Sequence, residues 1–455
     1  MLASVDPQRE AIVSGTQLGF LIFGVLLTML VLRVPIGVAM FIAGGGGYLY
    51  LTGGQTAVLL NSLKNLAYAR LSNYDLVVIP LFLLMGQFAT HGGLSRSLFR
   101  FVSAFIGHRR GGIAMAAIGA CAGFGAICGS SLATAATMGQ VALPELRRYG
   151  YSGSLATGAL AAGGTLGIMI PPSVPLVIYA ILTQESIGKL FMAAVLPGII
   201  AMLGYMAVVQ IVVTLDPKAG PAGPRVPWSQ RLRCLVEVLP VLLVFVVVIV
   251  GIYGGWANPT EAASIGAASC GILALLSGNM GMEEIRKTLL GTAMATAMIF
   301  LVLLGADMMN SALAISQMPV ELAEWVKNSG MSPLLVMAMI LVIYIVLGCV
   351  MDSLAMILLT IPIFYPMIMG LDFFGMAQVD KSIWFGILAL MVVEIGLVHP
   401  PVGMNVYVIN RLAVDVPLME TFKGVIPFLI SDFMRITLLV FFPIISLYLV
   451  HTFGA

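Results

Sequence analysis

Charged residues are scarce in this chain. Only 9% of its 455 residues are Asp, Glu, Lys or Arg, against about 25% in a soluble domain. The formal net charge is +2, so the chain cannot present the basic face that nucleic-acid binding requires. Histidine is also rare, with four residues, none of them paired at metal-ligand spacing. These absences exclude a soluble enzyme, a disordered chain and a nucleic-acid-binding protein, and they argue against a metal enzyme.

Cysteine pairs are absent as well. The five cysteines form no CxxC motif, and most of them lie in apolar runs. We interpret them, Cys349 included, as packing residues and not as disulfides or metal ligands. The residues before the first apolar run have neither a basic start nor a small-residue cleavage site, so we expect no cleaved signal peptide.

Apolar residues are abundant: they make up 60% of the chain, and the mean hydropathy is +1.06. A membrane-spanning helix needs about 20 predominantly apolar residues. The composition therefore predicts an all-α polytopic membrane protein. We expect ten spans, at residues 17–33, 35–51, 76–90, 153–185, 187–214, 234–253, 259–277, 288–305, 382–415 and 424–450.

Two further apolar segments, 112–147 and 332–369, are too long for one span, and each is interrupted in the middle. The interruptions are Cys-Gly-Ser-Ser at 128–131 and Gly-Cys-Val-Met-Asp-Ser at 348–353. Polar backbone at membrane depth is tolerated only where protein or water satisfies it. We therefore predict two re-entrant hairpins, each of which enters and leaves on the same side.

Positive charge sets the predicted orientation. With ten spans and two hairpins, 15 of the 22 Lys and Arg residues fall on one side and six on the other, while Arg435 lies within the last span. The positive-inside rule makes the richer side the cytoplasm. Loops 91–111, 145–152 and 215–233 are then cytoplasmic, and both termini face outward.

The chain also repeats itself weakly. The triplet Ser-Leu-Ala occurs at 131–133 and at 353–355, and in both places a proline stands 13 residues after the serine. The stretch 167–172 likewise matches 396–401. Each half reads as span, span, amphipathic connector, hairpin, broken span and span. Because the predicted hairpins open on opposite sides, this is an inverted repeat, the architecture of many secondary transporters.

The repeat suggests a division into domains. Amphipathic segments 94–107 and 308–329 predict surface-lying arms, and Trp384 fits an aromatic anchor near the outer interface. The predicted division is an N-terminal scaffold at 1–75, first-repeat transport elements at 76–185, scaffold helices with the loop 215–233 at 186–305, second-repeat transport elements at 306–415 and a C-terminal scaffold helix at 416–455.

Two proline pairs mark the most informative breaks. The pair at 171–172 divides the span 153–185, and the pair at 400–401 divides 382–415. A proline pair removes two helix donors, bends the chain and frees carbonyl groups upstream. Since the pairs stand at equivalent repeat positions and each follows a hairpin, we interpret them as functional.

The hairpin tips indicate cation binding. The first tip, 125–134, is rich in small and hydroxyl residues, whose oxygens suit a hard monovalent cation. The second tip adds Asp352, an intramembrane carboxylate that is a functional candidate, an N-cap of the next helix, or both. Glu394 is a weaker candidate for facing the second site. Asp432 and Arg435, three residues apart on one helix, predict a structural ion pair.

Together these motifs resemble one known family. The hairpin GAICGSSLATAATMGQVALPEL and the breaks GIMIPPSVPLVIYA and GLVHPPVGMNVYVI are similar to the large membrane subunit of tripartite ATP-independent periplasmic (TRAP) transporters. The resemblance covers essentially the whole chain. It implies a sodium-coupled elevator in the bacterial inner membrane, in which a transport domain holding both hairpins and both broken helices slides against a scaffold. The outward-facing termini would then be periplasmic.

The resemblance also implies partners. These are a small four-helix membrane subunit, a periplasmic substrate-binding protein, membrane lipids and an organic-anion substrate such as a carboxylate or a sugar acid. The small subunit would be a separate chain, because no spare four-span block exists here. No cofactor is expected apart from sodium as the coupling ion.

The family's binding residues map onto this sequence by motif. The implied sodium-binding residues are Gly129, Ser130, Ser131, Thr134, Gly164, Thr165, Gly167, Pro171, Asp352, Ser353, Gly396, His399 and Pro400. The implied substrate-binding residues are Ser131, Thr134, Pro172, Ser173, Ser353, Pro401 and Asn405. One position departs from the pattern, because a threonine is expected where this chain has His399, and an imidazole there introduces pH sensitivity.

Other functions remain open at this point. A stand-alone sodium- or proton-coupled anion transporter of a related inverted-hairpin fold would need no binding protein, and protons could be coupled through Asp352, Glu394 or His399. Re-entrant loops also permit a channel. An intramembrane enzyme is disfavoured, because no Ser–His, paired-Asp or His–Glu cluster occurs at a plausible depth.

Overall fold

The structure, a computed structural model, describes residues 15–278, 280–349 and 351–454. These residues form α-helices and one short 3-10 helix, Tyr74–Val77, and no strand occurs among them. In chain order the helices are α1 (Gly15–Val31), α2 (Ile36–Leu51), α3 (Thr56–Leu71), α4 (Val78–His91), α5 (Leu94–Ile106), α6 (Gly112–Cys128), α7 (Ser131–Arg148), α8 (Gly153–Met169), α9 (Val174–Thr183), α10 (Ile187–Leu215), α11 (Trp228–Tyr253), α12 (Pro259–Leu276), α13 (Met282–Ile315), α14 (Met318–Asn328), α15 (Pro333–Gly348), α16 (Ser353–Met369), α17 (Gln378–Val398), α18 (Met404–Leu412), α19 (Leu418–Phe441) and α20 (Ile444–Phe453).

The prediction of an all-α polytopic membrane protein is confirmed. Seven helices within the described residues are long and apolar enough to cross a membrane, and the bent pair α8–α9 makes up to one more. The seven are Tyr74–His91, α10, α11, α12, α13, α17 and α19. The predicted spans 17–33 and 35–51 correspond to the shorter apolar helices α1 and α2, of 17 and 16 residues.

The chain divides into two compact units. The first contains the described residues up to Asn73 together with Met298–Val336 and Leu358–Asp372, and the second contains Tyr74–Ala297, Met337–Ile357 and the described residues from Phe373 onward. The division into scaffold and transport elements at 75, 185, 305 and 415 remains a prediction.

Close helix packing and one ion pair organise the first unit. A Cβ atom on Gly44 of α2 would lie 2.5 Å from the Cα of Met309 on α13, so only glycine allows this approach. Arg70 at the end of α3 forms two hydrogen bonds to the Asp307 carboxylate, at 2.5 and 2.6 Å. This bidentate pair joins the short helix α3 to α13.

Two helices form the core of the second unit. Every residue of α8 from Leu155 to Met169 and of α17 from Lys381 to Val398 is buried. The sequence of α8 consists mostly of Gly, Ala and Leu, which lets α6, α7, α17 and α19 pack closely against it. Both core helices end at a proline pair, so the fold places the two breaks at the ends of its most enclosed helices.

The prediction of a surface-lying arm at 308–329 is wrong for the first half of that segment. The apolar residues up to Ile315 continue the 34-residue helix α13, with Met309 and Ala312 buried. The helix stops where Gln317 adopts a left-handed conformation, with φ of 59°. Only α14, Met318–Asn328, forms the amphipathic segment, because the left-handed residue Gln317 separates it from α13.

Two further expectations are corrected. Trp384 is not an interfacial anchor: it is fully buried, and its indole N–H donates to the Leu439 carbonyl at 2.8 Å. The tryptophan is buried because the apolar part of α17 is covered by other helices on all sides. The last predicted span, 424–450, is broken between Phe441 and Ile444, because Pro443 has no N–H to continue the helix.

Main-chain hydrogen bonds join three loops of the second unit. Gly111 N–H donates to the Gly220 carbonyl, and Gly223 N–H donates to the Gly107 carbonyl, each at 2.9 Å. Ser152 N–H donates to the Ala219 carbonyl, also at 2.9 Å. Loops 91–111, 145–152 and 215–233, which the charge count places on one side of the membrane, are therefore in contact.

Candidate functional site

The first junction, formed by the tip between α6 and α7 and the break between α8 and α9, begins with a sharp turn. Helix α6 ends at Gly129, whose φ of 63° lies in the left-handed region that glycine tolerates best. Ser130 then caps α7, accepting a hydrogen bond from the Ala133 N–H at 3.4 Å. The chain reverses within two residues, as the sequence predicts.

The tip and the break of the first junction are in direct contact. A Cβ atom on Gly125 would lie 2.6 Å from the Cα of Gly167, and one on Gly167 would lie 2.4 Å from the Thr134 hydroxyl oxygen. A Cβ atom on Gly129 would lie 2.9 Å from the Pro172 carbonyl oxygen. The predicted residues Gly129, Thr134, Gly167 and Pro172 therefore meet, and glycine is what permits the contact.

Buried polar atoms without a partner surround this contact. Within the described residues, the hydroxyl oxygens of Thr134 and Ser173 are buried and have no hydrogen-bond partner. Asn405, from α18 of the second repeat, donates through Nδ2 to the Ser131 hydroxyl at 2.8 Å, while its Oδ1 atom is buried without a partner in the described part of the chain. Buried polar atoms in folded proteins are almost always paired, so these three oxygens are candidates for contacting a ligand.

The second junction, formed by the tip between α15 and α16 and the break between α17 and α18, repeats the glycine crossing. A Cβ atom on Gly396 would lie 2.5 Å from the Cα of Gly348. Asp352 caps α16, since its Oδ2 atom accepts hydrogen bonds from the N–H groups of Leu354 at 3.2 Å and Ala355 at 3.3 Å. The N-cap prediction for Asp352 is thereby confirmed, and it leaves the other carboxylate oxygen for a second role.

Cys349 is a residue of this site that the sequence analysis missed. Its sulfur lies 3.7 Å from His399 Nδ1 and 3.6 Å from the Pro400 carbonyl oxygen. His399 Nδ1 also contacts that same carbonyl group. The available sequence signal was its position, since Cys349 lies in the interruption at 348–353 of the second hairpin.

The two junctions differ in exposure. Pro171, Pro172 and Ser173 are all buried, and so are Ser131 and Thr134. At the second junction Asp352, Ser353, His399 and Pro400 are only partly buried, and Pro401 is exposed.

A buried polar chain leads away from the first junction. The Thr165 hydroxyl lies 3.1 Å from the hydroxyl of Tyr205, which donates to Asp432 Oδ2 at 3.0 Å. Arg435 in turn donates to Asp432 Oδ1 at 2.8 Å, which confirms the predicted ion pair. The predicted sodium residue Thr165 thus directs its hydroxyl toward α10 and α19. The Thr165 hydroxyl therefore contacts Tyr205 and points away from the hairpin tip.

Glu394 belongs to the same buried cluster. Its charged neighbours are Arg435 and Asp432. The expectation that Glu394 faces the tip that carries Asp352 is therefore wrong. Both of its carboxylate oxygens are buried without a hydrogen-bond partner in the described part of the chain. Thr165 and Glu394 each stand six residues before their proline pair, so equivalent positions of the two repeats converge on one cluster. The sequence alone did not indicate this convergence.

The donor set of the junctions suits a hard monovalent cation. No group of three or more His, Cys, Asp or Glu side chains in residues 15–278, 280–349 and 351–454 is arranged to hold a metal ion. The oxygen groups available at the junctions are hydroxyls, carbonyls and the carboxylate of Asp352, while the Cys349 thiol and the His399 imidazole contact each other at the second junction. Such oxygens favour sodium-like ions over transition metals.

Comparison with known proteins gives relatives of the same kind. The chain is 36% identical over 410 residues to the C4-dicarboxylate TRAP transporter large permease protein DctM of Pseudomonas aeruginosa, covering 89% of this chain and 94% of that protein. It is 30% identical over 389 residues to the sialic acid TRAP transporter large permease protein SiaM of Vibrio cholerae serotype O1, with coverages of 84% and 88%. These relatives are transport permeases and not enzymes.

A solved structure supports the fold alone. The Alcanivorax borkumensis YdaH transporter, described as having an unusual topology, matches with a TM-score of 0.57 and 14% identity, covering 86% of this chain and 88% of that one. The family described as tripartite ATP-independent periplasmic transporter, DctM component, matches residues 23–445. Hairpins, proline-pair breaks and relatives agree, and the chain belongs to this family of large TRAP permease subunits.

Proposed function

We propose that this chain is the membrane permease of a sodium-coupled transporter that imports an organic anion. The observation that carries the proposal is the repeated junction, in which a hairpin tip crosses a broken helix at a pair of glycines. At the first junction the Thr134 and Ser173 hydroxyls and the Asn405 carbonyl oxygen are buried and unpaired within the described residues. Ions or substrate at this place would satisfy them.

Sodium would bind where the helices are interrupted. A helix that ends at a proline pair leaves its last carbonyl groups without intrahelical donors, and its C-terminal end bears partial negative charge. At the first junction, Ser130, Ser131 and Thr134 would add their oxygens to those of the α8 end. At the second, Asp352 and Ser353 would do so beside the α17 end. The residues Gly164, Pro171, Gly396, His399 and Pro400 would contribute through backbone position.

The substrate would lie between the two tips. Asn405 comes from the second repeat and already contacts Ser131 of the first, at 2.8 Å. Pairing across the repeats in this way would let one ligand contact both halves. Helix N-termini at Ser131 and Ser353 favour an anion, because their N–H groups point out of the helix. The remaining substrate candidates, Pro172, Ser173 and Pro401, flank these helix ends.

Movement would be of the elevator type. The two tips and the two broken helices would move together and carry sodium and substrate past the remaining helices. What supports this is that both junctions occur within one compact unit, around the buried helices α8 and α17.

The family implies the remaining parts of the system. A periplasmic binding protein would deliver the substrate, and a small four-helix membrane subunit would complete the membrane part. The protein would lie in the bacterial inner membrane with both termini in the periplasm. A C4-dicarboxylate is the first substrate to test, because a relative named for that class shares 36% identity over 89% of this chain.

Uptake into proteoliposomes tests the proposal. The permease, its small subunit and the binding protein are reconstituted, and C4-dicarboxylate uptake is measured with an inward gradient of sodium or of potassium. We expect sodium-dependent uptake that Asn405→Ala lowers about tenfold, because the partner of a buried hydroxyl is lost. Asn410→Ala is the matched control on the same helix, since the Asn410 Nδ2 atom donates to the Val416 carbonyl at 2.8 Å and to the Thr421 hydroxyl at 3.3 Å, away from the described tip residues.

The alternatives give different results in this assay. Uptake that needs no binding protein would favour a stand-alone transporter, and flux that neither saturates nor needs a gradient would indicate a channel. Equal uptake with sodium and potassium would contradict sodium coupling.

A further inference from the structure

A cavity of about 580 Å³ lies away from both junctions, in the second unit. Its walls are α5, the C-terminal half of α7, the segment before α11 and the first turns of α11. This volume falls within the range of about 300–1,000 Å³ that is typical of small-molecule sites. Neither the sequence motifs nor the proposed transport function accounts for it.

The lining of the cavity is basic. Arg96 and Arg100, one turn apart on α5, and Arg148 at the end of α7 supply three guanidinium groups, and Glu145 supplies the one carboxylate. Glu145 lies 3.7 Å from Arg148. Neither Arg96 nor Arg100 forms an ion pair with a carboxylate in the described part of the chain. Both arginines are exposed, so two unbalanced positive charges line a space that is open to solvent.

Polar and apolar groups share the remaining lining. The Ser103 hydroxyl is buried and has no hydrogen-bond partner among the residues described. Phe99, Ile113 and Val226 form apolar parts of the wall. A cavity with guanidinium groups and an apolar wall suits an anion that also carries a hydrocarbon part.

The frame around the cavity is well held. The segment before α11 is fastened to the α5–α6 loop by the hydrogen bond between Gly223 and Gly107, at 2.9 Å. The Arg231 guanidinium stacks on the rings of Trp228 at 5.0 Å and Phe105 at 5.7 Å. The cavity is thus bounded by elements whose positions are set by other contacts, as a preformed site requires.

We propose that this cavity binds a phosphate-bearing anion, with the headgroup of an anionic phospholipid as the favoured source. Arginine recognises phosphate through paired charge-assisted hydrogen bonds, and basic pockets between membrane helices bind such headgroups. The charge-based orientation puts the cavity at the cytoplasmic surface, where anionic lipids are available. A bound headgroup braces α7 against α5 and α11, and α7 is the helix that begins at the tip residue Ser131.

Retention of lipid during purification tests this proposal. The full chain is purified in detergent from membranes supplemented with phosphatidylglycerol or phosphatidylcholine, without sodium, and bound lipid is counted by native mass spectrometry. The test variant is Arg96→Gln/Arg100→Gln. The matched control is Arg109→Gln/Arg110→Gln, which removes the same charge from two exposed residues of the adjacent α5–α6 loop that do not line the cavity.

We expect wild type and control to retain phosphatidylglycerol and not phosphatidylcholine. The cavity variant should bind it about 25-fold more weakly, since each basic residue near an anionic lipid contributes about fivefold. If the double variant fails to fold, Arg148→Gln, which changes one exposed side chain, serves in its place with a fivefold expectation of the same origin.

A competition arm separates the two sources of phosphate. If inorganic phosphate at millimolar concentration displaces the lipid and raises the thermal unfolding midpoint of the wild type alone, the site accepts a soluble phosphate. Equal losses in cavity and control variants, or equal retention of both lipids with no effect of phosphate, would overturn the proposal. Because sodium and transport substrate are absent throughout, the outcome does not depend on the proposed transport function.

Discussion

The two junctions share a backbone design and differ in chemistry. In both, a glycine of the hairpin crosses a glycine that stands four residues before a proline pair. The first junction is buried and offers hydroxyl groups, with Thr134 and Ser173 unpaired in the described residues. The second is partly open, and Asp352, Cys349 and His399 stand around it. A repeated fold can thus keep its helix geometry while its ligand groups diverge.

The difference has a physical consequence for cation binding. An enclosed set of neutral oxygens can select an ion by cavity size and dehydration, whereas an open site with a carboxylate attracts cations by charge and is screened by salt. We therefore expect the first junction to determine sodium specificity. The second should contribute affinity that depends more on ionic strength.

The largest expected effect comes from the cluster on which both broken helices converge. Arg435→Met removes the guanidinium that lies beside Asp432 and Glu394 and leaves these buried carboxyl groups without it. Breaking a buried pair in this way costs about 3–5 kcal/mol. The unfolding midpoint in detergent measures it. The control is Arg147→Met, which breaks the exposed pair with Asp415 and should cost no more than about 1 kcal/mol. Similar losses in both variants would show that the cluster has no special role.

The glycine crossings should be next in size. Gly125→Ala places a Cβ atom 2.6 Å from the Gly167 Cα, and Gly348→Ala places one 3.0 Å from the Gly396 Cα. Overpacking of this kind costs about 1–3 kcal/mol. All four crossing glycines are buried, and Gly125→Ala should cost more because its Cβ atom approaches backbone more closely. Gly123→Ala on the same helix meets only a Leu98 side-chain atom at 3.4 Å and should be nearly neutral. A smaller loss at Gly125 than at Gly348 would reverse the comparison of the two junctions.

Asp352 allows capping and charge to be separated. Asp352→Asn keeps an oxygen that can accept from the Leu354 and Ala355 N–H groups, whereas Asp352→Ala removes the cap and costs about 0.5–2 kcal/mol. We expect the Asn variant to fold normally but to need more sodium for half-maximal uptake. If its sodium dependence matches the wild type, Asp352 is a cap and nothing more.

The smallest effect is expected from His399. His399→Thr supplies the hydroxyl that the family pattern contains, and a hydroxyl is a better ligand for a hard cation than an imidazole. The sodium concentration for half-maximal uptake should fall by about threefold. This ratio corresponds to a free energy within the range of one hydrogen bond's net contribution. Cys349→Ser, which changes the neighbouring sulfur to oxygen, is the companion variant. An increase in the required sodium would mean that the imidazole itself is a ligand.

Local sequence features predicted the helices and their interruptions well. Proline pairs, glycines and a capping serine act within a few residues, so the breaks after Met169 and Val398 and the turn at Gly129 follow from the chain itself. The capping boundary at Asp352 is of the same kind. For the same reason, the pairing of Asp432 with Arg435, one turn away, could be predicted.

Features that depend on helix rotation and on residues distant in the chain could not be predicted from the sequence. The direction of the Thr165 hydroxyl is set by Tyr205 on α10, and the environment of Glu394 by Arg435 on α19. In the sequence Trp384 resembles an interfacial residue, and only the packing of other helices around α17 shows that it is buried. Cys349 becomes part of a site only through its approach to His399, 50 residues away.

Sodium-dependent stability tests the central claim most directly. The unfolding midpoints of the wild type and of Thr134→Val are measured in sodium, potassium and choline chloride at matched ionic strength. A ligand that binds only the folded state stabilises it by about 2.7 kcal/mol at one hundred times its Kd. We predict a higher midpoint for the wild type in sodium alone, and the loss of most of that increment in Thr134→Val. Equal wild-type midpoints in the three salts would contradict the assignment of the junctions as sodium sites.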